Sequence, residues 1–169
     1  MNRIKRIRFL SIFIFFLPFA AINICLILVT HYPEFFSRQE DTLNPFFPYI
    51  DGEASISRVA RPYPSWLVFK PAMLLTSLLL VMYWFNTKWV IYSFDKNHRH
   101  IKKIIFFGIA SAILLAIHSI FLGIKFEYDL YKLFRRVVLL SFIIFEVIAQ
   151  TFLVLTLIEL KSKINSYIN

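Results

Sequence analysis

"IIFFGIASAILLAIHSIFLGI", residues 104–124, is the stretch of this chain that decides its fold class. It is 21 residues long, and His118 is its single ionisable side chain. A bilayer core about 30 Å thick is crossed by roughly 20 apolar residues in an α-helix. Three further segments match this length and character, at residues 9–30, 66–85 and 137–160. None has the two-residue alternation of a membrane β-strand, so we predict an all-α fold, an integral membrane four-helix bundle that forms a single membrane domain over residues 1–169.

The composition also favours a membrane protein. Of the 169 residues 59% are hydrophobic and the mean hydropathy is +0.66, whereas soluble domains are about 45–50% apolar. The net charge is +9, but the cations flank the apolar segments, so we interpret them as orientation signals and expect no nucleic-acid partner. A lone cysteine, Cys25, cannot form an internal disulfide and indicates no redox compartment.

The distribution of Lys and Arg predicts the orientation. Residues 1–8, 86–103 and 161–169 together carry eleven of these cations, whereas residues 31–65 and 125–136 carry seven. The positive-inside rule therefore places both termini in the cytoplasm and makes residues 31–65 a long extracytoplasmic loop. The first apolar segment is longer than the 7–15 residues of a signal-peptide core, so we expect a retained anchor. Richness in Ile, Lys, Asn and Phe is typical of an AT-rich bacterial genome, which predicts the bacterial inner membrane.

Lys70, His118 and Glu146 lie inside the apolar segments, and Glu159 lies at the very edge of the last one. An ionisable group near the bilayer centre costs at least about 2.5 kcal/mol on insertion scales, so such residues commonly face a bundle interior or mark a functional site. Each also has a structural alternative. Lys70 can snorkel to the interface, His118 can be a hydrogen-bonded core residue, and Glu146 with Gln150 at i+4 can join helices by hydrogen bonds.

At 1.5 Å per residue Lys70, His118 and Glu146 lie in the extracytoplasmic half of the bundle, beneath the charged loop. We therefore hypothesise a polar cavity open to the outer leaflet that accepts a lipid headgroup. Its predicted walls are Lys70, His118, Arg135, Arg136 and Glu146, and its predicted mouth is Asp51, Glu53, Arg58 and Arg61.

The chain contains none of the motifs HExxH, CxxC, Walker A, GxGxxG or GxSxG. We therefore predict no catalytic residue, no metal site and no cofactor, although catalytic groups need not be sequence neighbours. His98 and His100 in DKNHRH have the residue type of metal ligands. We favour the interpretation that this basic turn binds anionic headgroups on the inner face.

Four stretches resemble one family of multi-pass membrane proteins. They are PYIDGEASISRVARPYPS at 48–65, WLVFKPAMLL at 66–75, YKLFRR at 131–136 and FEVIAQTFLV at 145–154. Their order and spacing resemble the Frag1/DRAM/Sfk1 group, which includes the N-terminal region of a yeast cell-wall protein and a Golgi protein of GPI-anchor lipid remodelling. This resemblance implies a non-enzymatic role in membrane lipid handling. Family members usually have five or six spans, where this sequence predicts four.

The resemblance also implies which positions carry the family character: Asp51, Glu53, Ser55, Arg58, Lys70, Arg135, Arg136, Glu146 and Gln150. The leading hypothesis is a protein that binds membrane lipids and helps to organise or remodel them. The first alternative is an assembly subunit whose Lys70 and Glu146 pair with a membrane-protein partner. The second is a small proton-coupled transporter that uses Glu146 and His118.

Overall fold

A computed structural model describes residues 2–37, 56–124, 129–161 and 163, and these residues are all-α. Helices α1 (Asn2–His31), α2 (Ile56–Val59), α3 (Ser65–Phe94), α4 (Ile101–Phe121) and α5 (Asp129–Glu159) follow in chain order, with a 3-10 turn at Pro33–Phe35. Of these, α1, α3, α4 and α5 are long and apolar enough to cross a membrane. The predicted all-α class and the four apolar helices are therefore confirmed for the described part of the chain.

The long helices pack in series, with α1 on α3, α3 on α4 and α4 on α5. Chain neighbours among them run antiparallel, as the Arg3–Trp89 and His100–Phe152 contacts between opposite helix termini show. We call the end that contains α2, the start of α3 and the start of α5 the loop end. The opposite end, around residues 95–100, is the turn end.

Two apolar clusters hold the helices together, and α3 contributes to both. The first lies near the loop end and joins α1, α2, α3 and the residue after α4. Its buried members are Cys25, Leu26, Val29, Phe36, Val59, Ala60, Phe69 and Leu122. The second joins α3, α4 and α5 toward the turn end, with buried members Leu80, Trp84, Ile91, Ile101, Ile104, Ala112, Ala149, Leu153 and Leu160. Helix α3 is thus the central element of the described fold.

Trp84 of α3 packs closely against Gly108 of α4. Trp84 is fully buried, and a Cβ atom built on Gly108 would lie 2.4 Å from the nearest indole carbon. Real Cβ atoms do not approach carbon so closely, so glycine is what lets the indole lie against the α4 backbone. Small residues play this role in membrane helix packing, where no hydrophobic force drives helices together.

Buried hydroxyl groups are satisfied mainly by backbone carbonyls. The Thr76, Ser119 and Thr156 hydroxyls each donate to the carbonyl four residues earlier at 2.8 Å. Ser77 donates instead across the helix interface, to the carbonyl of Ala112 at 2.8 Å. This matters because lipid offers no hydrogen-bond partners to replace water.

Three helices extend well beyond the apolar segments from which they were predicted. Helix α1 begins at Asn2 instead of near residue 9, α3 continues to Phe94, and α5 begins at Asp129 instead of near residue 137. Aromatic packing accounts for the early start of α5, because Tyr131 and Phe134 both contact the Phe121 ring, and the Tyr131 hydroxyl donates to the Phe121 carbonyl at 2.6 Å. Residues 131–136 are consequently helical, and Tyr131 and Phe134 contact the end of α4.

The close approach at Gly108 makes a test of this packing. Replacing Gly108 with Ala forces the Trp84 indole and α4 apart, and overpacking of this kind costs about 1–3 kcal/mol. We expect a lower thermal unfolding midpoint for the detergent-solubilised variant. Ile113→Val, on the exposed side of the same helix, is the control that should leave the midpoint unchanged. Equal midpoints for Gly108→Ala and wild type would contradict the packing described.

Candidate functional site

Lys70 joins the start of α3 to the end of α4. Its ammonium lies 3.3 Å from the Ile120 carbonyl and 5.1 Å from the centroid of the Trp66 ring. The carbonyl end of a helix carries partial negative charge, so a cation there is stabilised, and the indole face adds a cation–π contact. The ammonium has three N–H donors, so these contacts leave capacity for a further acceptor.

The connection between α2 and α3 packs against the same helix end. Gly123 has a φ of +84°, a left-handed conformation that favours glycine. A Cβ atom there would lie 3.4 Å from the Arg61 carbonyl and 4.0 Å from Cε of Lys70. The turn after α4 therefore brings Arg61 and Lys70 to one place at the loop end.

His118 and Arg135 complete this group from α4 and α5. His118 is only 8% exposed, and its ring lies close to Arg135. The Arg135 guanidinium lies 5.9 Å from the Tyr131 ring centroid and close enough to His118 and Arg61 for electrostatic interaction. We call Arg61, Lys70, His118 and Arg135 the loop-end cluster.

The loop-end cluster is cationic and incompletely satisfied. His118 Nδ1 and Arg135 Nε are both buried and have no hydrogen-bond partner among the described residues. No carboxylate of a described residue forms an ion pair with Arg61, Lys70 or Arg135; the ion pairs described below lie at the turn end. Buried polar atoms in folded proteins are normally hydrogen-bonded, so each exception indicates a missing partner.

The other predicted site residues are not all part of this cluster. Asp51, Glu53 and Ser55 lie outside the described residues. Arg58 on α2, Arg61 and Arg136, next to Arg135 on α5, are exposed, and Arg61 belongs to the cluster through its carbonyl beside Gly123 and its charge near Arg135. Of the residues predicted to form the outer-leaflet cavity, the described structure brings together Arg61, Lys70, His118 and Arg135.

Glu146 and Gln150 form a separate site in the middle of the bundle. The Glu146 carboxyl accepts hydrogen bonds from Ser111 Oγ at 2.6 Å, Trp84 Nε1 at 3.4 Å and Gln150 Nε2 at 2.9 Å. These three donors are neutral, and they come from α4, α3 and α5. Ser111 precedes His118 by two helical turns, about 10 Å along α4. Glu146 therefore joins helices, as the structural alternative predicted, and does not line the loop-end cluster.

At the turn end, His98 and His100 are engaged by α5. His98 Nε2 lies 3.1 Å from Oε2 of Glu159, and His100 Nε2 lies 3.7 Å from Oε1, while Arg99 pairs with the same carboxylate. The His98 side chain is only 7% exposed, and the His100 ring stacks on Phe152 at 5.2 Å. These histidines are packed against the bundle, and the prediction that this basic turn binds anionic headgroups stays a prediction. Within the described ranges, no group of three or more His, Cys, Asp or Glu side chains is arranged to hold a metal ion.

Several partners in these sites were not predicted. Trp84 and Ser111 hydrogen-bond to Glu146. The rotation of α3 and α4 about their axes decides which of their polar side chains reach this carboxyl, and the sequence does not give that rotation. The sequence does indicate that Tyr131 lies beside Arg135 if both are helical, because residues four apart share a helix face. The sequence prediction starts this helix near residue 137, so it assigns residues 125–136 to a loop and does not place Tyr131 on the same helix face as Arg135.

No family model, no curated protein and no solved structure matches this chain. Membership of the Frag1/DRAM/Sfk1 group therefore stays a prediction.

The Glu146 site predicts a graded loss of stability. Glu146→Ala leaves the buried Trp84 N–H without an acceptor, which costs about 1–3 kcal/mol, and removes the acceptor that joins Ser111 and Gln150 across helices, although Ser111 can still donate to the Gly108 carbonyl. Glu146→Gln keeps one acceptor oxygen and should lose less. We expect thermal unfolding midpoints in detergent to fall in the order wild type, Glu146→Gln, Glu146→Ala. The exposed Thr151→Ala is the control, and a midpoint for Glu146→Ala equal to that control would refute the helix-joining role.

A second prediction concerns Asp95, which lies between α3 and α4. Lys163 Nζ is 3.0 Å from its carboxylate and the Asn97 backbone N–H donates to it at 3.1 Å, and these bonds hold the pKa of Asp95 below its usual value. A depressed folded-state pKa contributes stability above the unfolded-state pKa, and that stability is lost as pH falls through the folded-state pKa. Asp95→Asn should therefore lower the unfolding midpoint slightly at neutral pH, with the difference from wild type vanishing on titration to about pH 2.

Lys163→Gln provides the matched control for this pair. It should reproduce the neutral-pH loss, and the double variant should lose no more than either single variant, because both remove the same interaction. Additive losses would show that Asp95 and Lys163 do not interact.

Proposed function

We propose that this protein binds an anionic membrane lipid from the outer leaflet, with the headgroup in the loop-end cluster. The observation that carries the proposal is the pair of buried, unpartnered polar atoms, His118 Nδ1 and Arg135 Nε, beside two further cations. Leaving a buried polar group unpaired costs about 1–3 kcal/mol. An anionic ligand would supply the missing partner and neutralise the mutual repulsion of Arg61 and Arg135.

The depth of the cluster suits a headgroup. His118 lies about 5 Å from the end of α4, Lys70 about 8 Å from the start of α3 and Arg135 about 9 Å from the start of α5, at 1.5 Å per residue. These positions correspond to the headgroup and upper acyl region of a bilayer whose polar layers extend beyond a core about 30 Å thick. With the predicted orientation, this is the outer leaflet.

The surface beside Arg135 suits acyl chains. Leu130, Leu133 and Val137 of α5 are all more than half exposed. Exposed apolar side chains on a membrane helix contact lipid tails, and they continue from the cluster along the helix. A lipid whose phosphate lies at Arg135 would therefore place its chains against α5.

The two alternatives have less support from the described contacts. The assembly-subunit hypothesis requires Lys70 and Glu146 to pair with a partner chain, yet Lys70 contacts Ile120 and Trp66, and Glu146 accepts three hydrogen bonds within this chain. The transporter hypothesis requires Glu146 and His118 to act together, yet they belong to separate sites.

The proposal is tested by lipid retention. We expect native mass spectrometry of the gently solubilised protein to show a co-purifying anionic lipid. Arg135→Gln removes the buried cation and should reduce the lipid-bound fraction at least about tenfold, since charge-assisted hydrogen bonds contribute about 1.5–3 kcal/mol. Arg136→Gln makes the same charge change at the exposed neighbour and should retain the lipid.

Equal retention by both variants would contradict lipid binding at the loop-end cluster. Replacement of the lipid by a stably bound second protein in the wild-type spectra would favour the assembly subunit instead.

A further inference from the structure

The hydrogen bonds of the turn end fix which ring nitrogen of each histidine carries the hydrogen. Arg99 Nε donates to His100 Nε2 at 3.0 Å, and a guanidinium group has no acceptor. The hydrogen of the neutral His100 ring therefore lies on Nδ1. The His100 backbone N–H donates to His98 Nδ1 at 3.4 Å, so the neutral His98 ring carries its hydrogen on Nε2. That Nε2 lies 3.1 Å from Glu159 Oε2, an acceptor, so the two neutral rings are opposite tautomers.

Arg99 joins the turn before α4 to the end of α5 through these contacts. Its guanidinium pairs with Glu159 Oε1 and also donates to His100 Nε2, so both groups hold one cation. The second contact requires His100 Nε2 to be without a hydrogen. His100 Nε2 itself lies 3.7 Å from the same carboxylate oxygen. A proton bound at Nε2 therefore removes an acceptor of Arg99 and makes His100 a second cationic donor for Glu159 Oε1.

The burial of the two side chains decides which cation stays at the carboxylate. His100 is 12% exposed and its ring stacks on Phe152 at 5.2 Å, whereas the Arg99 side chain is 72% exposed. Moving the imidazole would unpack the end of α5, but moving the guanidinium only transfers it to water, where a cation is well solvated. Protonated His100 therefore keeps the place beside Glu159, and Arg99 leaves.

Other charged side chains near the two histidines are Lys103, Asp95 and Lys163. Lys103 adds positive charge, because its Nζ lies 5.1 Å from the centroid of the Phe152 ring on which His100 stacks. Asp95 and Lys163 pair with each other at 3.0 Å. Among the described residues, Glu159 is thus the carboxylate for which the two cations compete.

We infer that the turn end is a proton-operated switch, in which protonation of His100 at Nε2 releases the Arg99 side chain from Glu159. At neutral pH the guanidinium is held between the imidazole and the carboxylate. As the pH falls through the range in which histidine becomes charged, about pH 8 to 5, the guanidinium moves into water. The switch does not depend on lipid binding, because the loop-end cluster lies at the opposite end of the bundle.

The switch is tested by heteronuclear NMR of the full-length protein in detergent micelles, with nitrogen-labelled histidine and arginine. At about pH 8 we expect the hydrogen on Nε2 of His98 and on Nδ1 of His100, as their ring nitrogen shifts report. On titration to about pH 5, the Nε–H signal of Arg99 should move to the chemical shift of Arg136, whose side chain is exposed.

Two variants assign the response to His100. His100→Gln keeps a side-chain acceptor for Arg99 that does not titrate, so the Arg99 signal should stay in place throughout the titration. His98→Gln leaves the His100 ring unchanged, so the Arg99 signal should still move. The thermal unfolding midpoint at neutral pH checks that each variant folds, and the wild-type titration decides the matter if His100→Gln does not.

Three results would overturn the inference. A His100 ring that carries its hydrogen on Nε2 at about pH 8 would show that Arg99 is not its donor. An Arg99 signal that stays in place throughout the wild-type titration would show that no release occurs. A response that persists in folded His100→Gln and disappears in His98→Gln would assign the proton to His98 instead of His100.

Discussion

The rest of the described structure depends on the contact between Trp84 and its two neighbours. Its indole lies against the backbone at Gly108 of α4, and its N–H donates to Glu146 of α5. One side chain of the central helix thus sets the spacing of α4 and the position of α5. Ser111, on the same stretch of α4, binds the same carboxyl. This arrangement fixes the rotation of α4 against α5, and that rotation also brings His118 close to Arg135.

The polar side chains inside this apolar fold form two different kinds of site. Glu146 accepts hydrogen bonds from three helices, so its burial is compensated within the chain and its role is to hold helices together. The loop-end cluster contains two buried polar atoms without described partners, and its cations lie close to one another. An uncompensated site costs folding free energy. Unpartnered atoms also occur elsewhere, at Ser65 Oγ, Thr87 Oγ1 and His100 Nδ1, so it is their combination with neighbouring cations at the loop end that supports the proposed anion binding.

The sequence was sufficient for the fold class, because long apolar stretches specify spanning helices through local composition alone. It was not sufficient for helix ends, since α5 begins among charged residues whose aromatic neighbours pack on Phe121. The sequence analysis also assigned the residues of two separate sites to one predicted cavity. Depth could be estimated by counting residues, but the faces on which Lys70, His118 and Glu146 lie depend on how Trp84 and Gly108 pack. The contacts of His98 and His100 with Glu159 could not be predicted, because Glu159 is some 60 residues away in sequence.

The position of α5 determines how a ligand would reach the loop-end cluster. Helix α5 packs mainly on α4, and most of its large apolar side chains are exposed. Arg135 therefore lies at the edge of the described helices, where a lipid diffusing in the plane of the membrane can approach laterally. A site for a solute that crosses the membrane would need polar groups continuing from the cluster toward the turn end. Instead, the next buried carboxyl along the bundle is Glu146, and its oxygens already accept hydrogen bonds from Ser111, Trp84 and Gln150. This separation of the two sites is consistent with the proposed lipid binding and gives no support to the transporter alternative.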